Sequence, residues 1–242
     1  MKVKHGIILT GGTGTRLQPL TNTINKHMVP VHNKFIIDYS IETIKSTGVE
    51  NLIVVLGGPH YEQIVSHLGD GSHLGLNITY KIQDRASGIA HGVNLCKNSI
   101  NSDKFILMLG DNLYENGIEF PNTDKASIVL SSHHNLNRFG VASISDNKIV
   151  KIEEKPIKLQ ENCDNYAITG CYLFNSMFFE YFKDLKPSAR GEYEISHIIE
   201  KYNNDNNLNY TFASGLWSDA GTHESVHFLS NFFYYKDKKT AL

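Results

Sequence analysis

Cysteine is scarce in these 242 residues: Cys96, Cys163 and Cys171 are an odd number and form no C-x-x-C pair. That argues against a disulfide framework or a cysteine-rich zinc site, and buried, reduced thiols are expected. An excess of one charge is missing too. With 23 Lys and Arg against 25 Asp and Glu the formal net charge is -2, so neither nucleic acid nor an anionic membrane is an expected partner. Any phosphate chemistry then falls to local basic residues. No apolar run approaches the roughly 20 residues that span a bilayer. The chain passes from Met1 straight into strand-like sequence, without the charged start, apolar region and cleavage site of a signal peptide. A cytoplasmic protein is expected. Nothing repeats at a period of about 20 to 50 residues, and no low-complexity linker divides the chain.

What is there suffices for a sizeable core: 40% of residues are hydrophobic and 20% charged. Residues 6–9 (GIIL) suit a buried strand. Ile37, Ile41 and Ile44 recur at helical spacing and close at Gly48, and residues 52–56 (LIVVL) read as the next strand. Tyr61, Ile64, Val65 and Leu68 line a helix ending near Gly69, before a strand at 76–83. Ile89, Val93 and Cys96 mark a helix beginning after Ser87 and Gly88, and residues 105–109 (FILML) form a strand ending at Gly110 and Asp111. This alternation predicts an α/β fold with a mostly parallel, doubly wound (Rossmann-like) sheet, whose ligands bind at the carboxyl ends of the strands. Gly11, Gln83 and Asp111 stand at such ends. From about residue 126 strand-like runs follow one another (127–131, 140–144, 149–152, 166–174), which predicts a smaller mixed or antiparallel lobe. Ile195, Ile198, Ile199 and Tyr202 make a later helix, the Asn-rich stretch 203–209 a turn, 210–213 a strand, and a last helix follows Thr222. One domain, 1–242, is expected.

The residues after the first strand carry the chemistry. Gly11, Gly12 and Gly14 let backbone amides converge on an anion, Thr13 and Thr15 add hydroxyls, and Arg16 and Lys26 bring two positive charges. The run is neither the dinucleotide fingerprint, since Leu17 stands where its last glycine belongs, nor a P-loop ending in G-K-[ST]. On the residues alone, Arg16 and Lys26 could equally be solvated loop charges. Asp111 in GDN and Asp219 in WSDAGT could be turn formers, or together could hold a hard divalent cation beside a triphosphate.

LTGGTGTRLQPLT followed by NKHMVPV resembles the signature of the sugar nucleotidyltransferases, the nucleoside diphosphate sugar pyrophosphorylases. The resemblance covers about residues 3–235, with GGTGTR, GDN, EEKP, LKPSARGE and WSDAGT in the family's order. It is nearest to the glucose-1-phosphate thymidylyltransferases, in a short form without the C-terminal helical extension that carries part of a regulatory site in longer members. Thr10 departs slightly from the pattern, where alanine is usual. The resemblance implies a nucleotide half at about 1–125 and a sugar half at about 126–242. It implies that Leu9, Gly11, Gly12, Thr13, Gly14, Thr15 and Arg16, with Lys26, wrap the triphosphate, and that Gln83 and Gly88 read the base. His91 stands where thymidine-specific members often have glutamine. The resemblance further implies that Asp111 and Asp219 hold Mg²⁺ beside the α-phosphate, that Glu154 binds sugar hydroxyls, and that Lys155 binds the sugar phosphate. Asn112, Phe139, Gly140, Thr169, Gly170, Arg190, Glu192 and Trp217 match positions around the sugar pocket. Read alone, Trp217 could be core, and Arg190 with Glu192 a surface pair.

The expected reaction joins a nucleoside triphosphate, dTTP first, to a sugar 1-phosphate, glucose 1-phosphate first, with Arg16, Lys26, Asp111 and Lys155 as the catalytic set and a homo-oligomer as the working form. Uridylyl or cytidylyl transfer and a non-catalytic nucleotide sensor are the alternatives. A third is raised by His223, Glu224 and His227, which spell the H-E-x-x-H of zinc hydrolases. No histidine or glutamate follows His227, and Asp237 is the sole acid after it. His133 and His134 are expected in a solvated loop.

Overall fold

Alternation of apolar residues along the first strands decides how the sheet is covered. The computed structural model describes residues 3–240. Strand β1 (His5–Thr10) is followed, after the glycine loop, by a short hairpin of β2 (Pro30–Val31) and β3 (Lys34–Phe35). Then come helix α1 (Ile36–Ser46), β4 (Asn51–Leu56), α2 (Glu62–Leu68), β5 (Asn77–Ile82), α3 (Ile89–Asn94), β6 (Lys104–Leu109) and β7 (Asn112–Tyr114). Ile7, Ile53, Val55 and Leu107 point to one face and pack with Val93 of α3. Ile8, Leu52, Val54 and Met108 point to the other, against Ile37, Ile41 and Ile44 of α1 and Ile64 and Leu68 of α2. Side chains two apart share a face of a strand, so unbroken apolar runs such as LIVVL serve both cores at once. Helix α1 starts where the Asp38 carboxylate reaches back to accept from the Phe35 amide at 2.9 Å, satisfying an otherwise orphaned donor.

The second half begins with β8 (Ala126–Ser131), β9 (Gly140–Ser145), β10 (Lys148–Glu154) and β11 (Asp164–Asn175). Helices α4 (Met177–Lys183) and α5 (Ile195–Asn204), strands β12 (Leu208–Phe212) and β13 (Trp217–Asp219), and helix α6 (His223–Thr240) complete it. All but the two short ladders join one nine-stranded sheet ordered β10-β9-β11-β6-β1-β4-β5, with β8 on β11 and β12 on β8. The β6-β1-β4-β5 ladders are parallel, as the alternation predicts, and β11 pairs antiparallel with β6, β8 and β9.

Three local expectations are corrected. The Asn-rich stretch 203–209 is not one turn: its start ends α5 and Leu208 already opens β12, which runs parallel to β8. Helix α4 has no counterpart in the sequence reading; its aromatics, Phe178 and Phe179, sit in the core. Strand β13 was not anticipated either. It pairs with β7, matching Trp217 with Tyr114, Ser218 with Leu113 and Asp219 with Asn112. A third apolar cluster, in which Leu229 and Phe233 of α6 meet Val29, Val31, Ile36, Tyr39, Leu113 and Ala220, holds this ladder in place.

Candidate active site

The carboxyl ends of β1, β5 and β6 deliver Gly11, Gln83 and Gly110–Asp111 to one edge of the sheet, as doubly wound topology requires. Two cavities lie along that edge. One, of about 190 Å³, is lined by Leu9, Gly11, Lys26, Gln83, Gly88 and Glu192, among others. The other, of about 420 Å³, is lined by Arg16, Asn112, Arg138, Glu154, Lys155, Gly170, Trp217 and Asp219 with apolar residues of β11 and α5. Gly12, Ile89, Leu109 and Asp111 belong to both, so the cavities meet at Asp111. A hollow of about 660 Å³ under the loop that follows β10 shares Glu154 and Lys155 with the site but none of its other residues.

The loop between β1 and Lys26 is held open by local geometry. Gly14 adopts φ 66°, and the Thr21 hydroxyl donates to its carbonyl at 2.8 Å. A side chain at Gly14 would meet both that conformation and Thr21. Thr13, Thr15 and Arg16 are exposed beyond it, and Arg16 makes no hydrogen bond or ion pair among the described residues. Lys26 is opposite in character: its side chain is 9% exposed and its ammonium is paired with Asp111 Oδ2. Burial pushes the Asp111 carboxyl up, but the Lys26 charge and hydrogen bond, with an Asn112 amide donor at 2.9 Å, outweigh it and hold the group well below the usual carboxylate range. Neighbouring His27 is lowered to about 3, chiefly by burial and then by the Lys26 charge. It is a neutral imidazole whose Nδ1 donates to Asn25 Oδ1 at 2.9 Å.

Asn112 organises the junction. Its Oδ1 accepts from the Trp217 indole at 2.7 Å and from the Gly170 amide at 3.1 Å, while its Nδ2 holds Asp111. Trp217, 5% exposed, therefore spends its polar edge inside the protein and stacks edge-on against Phe139, with ring centroids 5.2 Å apart. The β7–β13 ladder sets Asp219 opposite Asn112, and the Ala220 amide donates to the Asp111 carbonyl at 2.8 Å. Both aspartates thus reach the same cavity from adjoining backbone. Arg138, which the sequence reading missed, bonds both oxygens of Asp219 through one nitrogen, at 2.9 and 3.2 Å.

On the other wall, β10 ends with Glu154 opposite Gly140, and Lys155 follows in the left-handed region at φ 46°. Such a conformation in a residue with a side chain marks a place where the fold imposes backbone strain. Lys155 Nζ lies 3.9 Å from Glu154 Oε1. Burial first and the nearby Glu194 second raise the Glu154 carboxyl above its ordinary value. Arg190 forks onto Glu194 at 2.8 and 3.2 Å and reaches Glu154 at 3.3 Å and Glu192 at 3.6 Å, so it ties the acids of this wall together.

Glu192 and Thr169, both matched to the sugar pocket, do not line the larger cavity. Glu192 lines the smaller cavity, with Gln83. Thr169 is fully buried, its hydroxyl donating to the Val129 carbonyl and accepting from Tyr114. His133 is not simply solvated: it stacks on His134 and packs edge-on against Phe139 and Trp217. Of the HESVH motif, His223 Nε2 bonds the Gln18 carbonyl at 2.8 Å and His227 bonds Asn231, so the two imidazoles serve different partners. Among the described residues no group of three or more His, Cys, Asp or Glu is arranged to hold a metal ion. The donor set at the junction, two carboxylates on one edge each matched by a cation, instead fits an ion such as Mg²⁺, which takes one or two carboxylates and fills its shell with phosphate oxygens and water.

A glycine loop with cations facing two carboxylates, at the strand ends of a doubly wound sheet, defines an enzyme site for polyphosphate substrates. The chain belongs to the nucleotidyl transferase family, whose profile matches residues 5–234. Enzymes of this family act on nucleoside triphosphates and sugar 1-phosphates and generally use a divalent metal. The chain is 36% identical over 238 residues to the glucose-1-phosphate thymidylyltransferase of Neisseria meningitidis, covering 94% of this chain and 81% of that one. It is 36% identical over 229 residues to the low-salt glycan biosynthesis nucleotidyltransferase of Haloferax volcanii, covering 91% of this chain and 63% of the relative. A Bacillus anthracis crystal structure, of a candidate glucose-1-phosphate thymidylyltransferase in complex with a sucrose, superposes with TM-score 0.88 at 40% identity, covering 95% of each chain. No helix among the described residues is long and apolar enough to cross a membrane.

Proposed function

We propose that the protein transfers a nucleotidyl group from dTTP to glucose 1-phosphate, releasing pyrophosphate and forming dTDP-glucose for glycan biosynthesis. The observation that carries this reading is the meeting of the two cavities at Asp111. The triphosphate lies over Gly11–Arg16 with its base toward Gln83 and Gly88, and the sugar phosphate enters from the Lys155 side. A sugar-phosphate oxygen attacks the α-phosphorus in line, the new P–O bond forms, and the α–β bridge opens as pyrophosphate leaves. Both reactants are anionic, so the site's task is to hold them close against their mutual repulsion. Arg16 and Lys26 serve the triphosphate, Lys155 the sugar phosphate, and Glu154 and Asn112 the sugar. Arg190 and Gly140 shape that wall, and Thr169, Gly170 and Trp217 support it from behind. Asp111 and Asp219 would hold Mg²⁺, which when bound neutralises charge on the reacting phosphate. The protein works in the cytoplasm, with its three thiols free, and as a homo-oligomer through the exposed aromatics of α6, among them Phe228 and Tyr235.

The test is pyrophosphate release across pairs of dTTP, UTP or CTP with sugar 1-phosphates, for the native chain and for Arg16→Ala. Turnover should be highest with dTTP and glucose 1-phosphate. Arg16→Ala should lose about 10²- to 10³-fold, the scale of a lost transition-state donor, without loss of stability, because Arg16 has no partner among the described residues. Nucleotide binding without pyrophosphate release from any pair would make the protein a sensor instead.

A further inference from the structure

The cations of the junction are not equivalent. Arg16 is unpaired, whereas Lys26 and Arg138 are each spent on a carboxylate, Lys26 on Asp111 and Arg138 on Asp219. The second pair is the more yielding. Arg138 ends a single helical turn (Leu136–Arg138), its side chain is 27% exposed, and its sole acceptor among the described residues is Asp219. Only one of its three nitrogens is used, at 2.9 and 3.2 Å to the two oxygens, where a guanidinium could have engaged a carboxylate through two. The guanidinium lies 5.2 Å from the centre of the Phe139 ring, which packs on Trp217, two residues before Asp219 in the chain. Arg138 is thus held beside the carboxylate by a ring and one nitrogen, with its remaining donors free.

We propose that Arg138 is the resident counter-ion of Asp219, displaced when the triphosphate enters, and that this exchange makes capture of the divalent cation conditional on the nucleotide. The inference rests on the reading of Asp219 as a metal ligand. A divalent cation arriving alone must take Asp219 from a guanidinium and then sit beside that stranded positive charge. Arriving with a triphosphate, it brings oxygens onto which the guanidinium can move, so the cation lost from the carboxylate is regained on the phosphates. In this scheme Arg138 acts on the metal through Asp219 and on the triphosphate directly, and it discourages loading of the site with bare metal.

The test is Mn²⁺ titration followed by electron paramagnetic resonance, on the native protein, Arg138→Gln, Arg138→Lys and Asp219→Asn, without and with dTTP. In the absence of nucleotide, Arg138→Gln should bind Mn²⁺ about tenfold more tightly than the native chain, a typical size for coupling between two ligands. Arg138→Lys, which keeps the charge, should bind it as weakly as the native chain. With Mg²⁺ present, dTTP should bind Arg138→Gln more weakly, because the released guanidinium is no longer there to meet the phosphates. Equal or weaker binding of bare Mn²⁺ by Arg138→Gln overturns the exchange. If Asp219→Asn leaves the Mn²⁺ signal of the native dTTP complex unchanged, Asp219 is no ligand, and the underlying reading fails with the proposal.

Discussion

Replacing Lys26 by methionine keeps an unbranched side chain, one atom shorter, at a site where the lysine side chain is 9% exposed, and removes its charge and donors, leaving the Asp111 carboxylate, 20% exposed, without its main partner. Breaking a buried pair from one side costs about 3 to 5 kcal/mol. The partial exposure of Asp111 and its bond to Asn112 place this case near the lower figure, about 3 kcal/mol. The pH dependence separates this cause from lost packing. In the native protein the Asp111 group is held below its unfolded value, so its contribution is complete above about pH 4 and is lost only as the pH falls through the depressed folded value. Without the ammonium, burial dominates and the folded group lies above the unfolded value. The variant then binds a proton on folding and loses stability as the pH rises past about 4. The gap between the two proteins should therefore already be open near pH 4, where the native contribution is complete, widen further to about 3 kcal/mol by pH 7 as the variant loses stability, and narrow only as the pH falls through the depressed native value, as measured by urea unfolding. The double change Lys26→Met with Asp111→Asn should recover more than half of that gap at pH 7, since no uncompensated charge stays behind. A gap independent of pH, or a double variant less stable than Lys26→Met, refutes the reasoning.

Two further outcomes follow from the geometry. Gly170→Ala would place a methyl 2.6 Å from the Asn112 amide, so it should cost about 1 to 3 kcal/mol in unfolding experiments and reduce pyrophosphate release by disturbing Asp111 and Trp217 together. The Gln83 amide donates to the Gly88 carbonyl at 3.2 Å and to His91 Nδ1 at 3.0 Å, which turns its oxygen toward Gly11 as an acceptor for a base N–H. His91→Phe should therefore raise KM for dTTP and UTP about tenfold, on the scale of one lost hydrogen bond, with kcat unchanged. It should also narrow discrimination against CTP, whose N3 carries no proton, and His91→Gln should restore native values. An unchanged ratio of dTTP to CTP in His91→Phe would show that His91 does not orient the amide.

Local signals in the chain were enough for the parallel half of the sheet. The apolar runs at β1, β4 and β6 and the helical spacing of α1 are set by neighbours within a few residues, and the strand ends at Gly11, Gln83 and Asp111 follow from them. The glycine loop was legible for the same reason, since the conformation at Gly14 is a property of glycine itself. Asp111 was visible in GDN after a buried strand and Asp219 in WSDAGT, but nothing near either one says that they adjoin. That is decided by the β7–β13 ladder and by α6 packing behind it, pairings between segments about a hundred residues apart that leave no periodic trace. Arg138 was missed because its partner is not a neighbour in sequence, and Glu192 lines the smaller cavity because the chain between α4 and α5 packs against Ser87–Ala90. Sequence determined which segments would be strand, helix or glycine loop, because those choices are made over a few residues. Which charges face one another was left to tertiary structure, because an ion pair needs both partners delivered to one place, and only the assembled sheet delivers them.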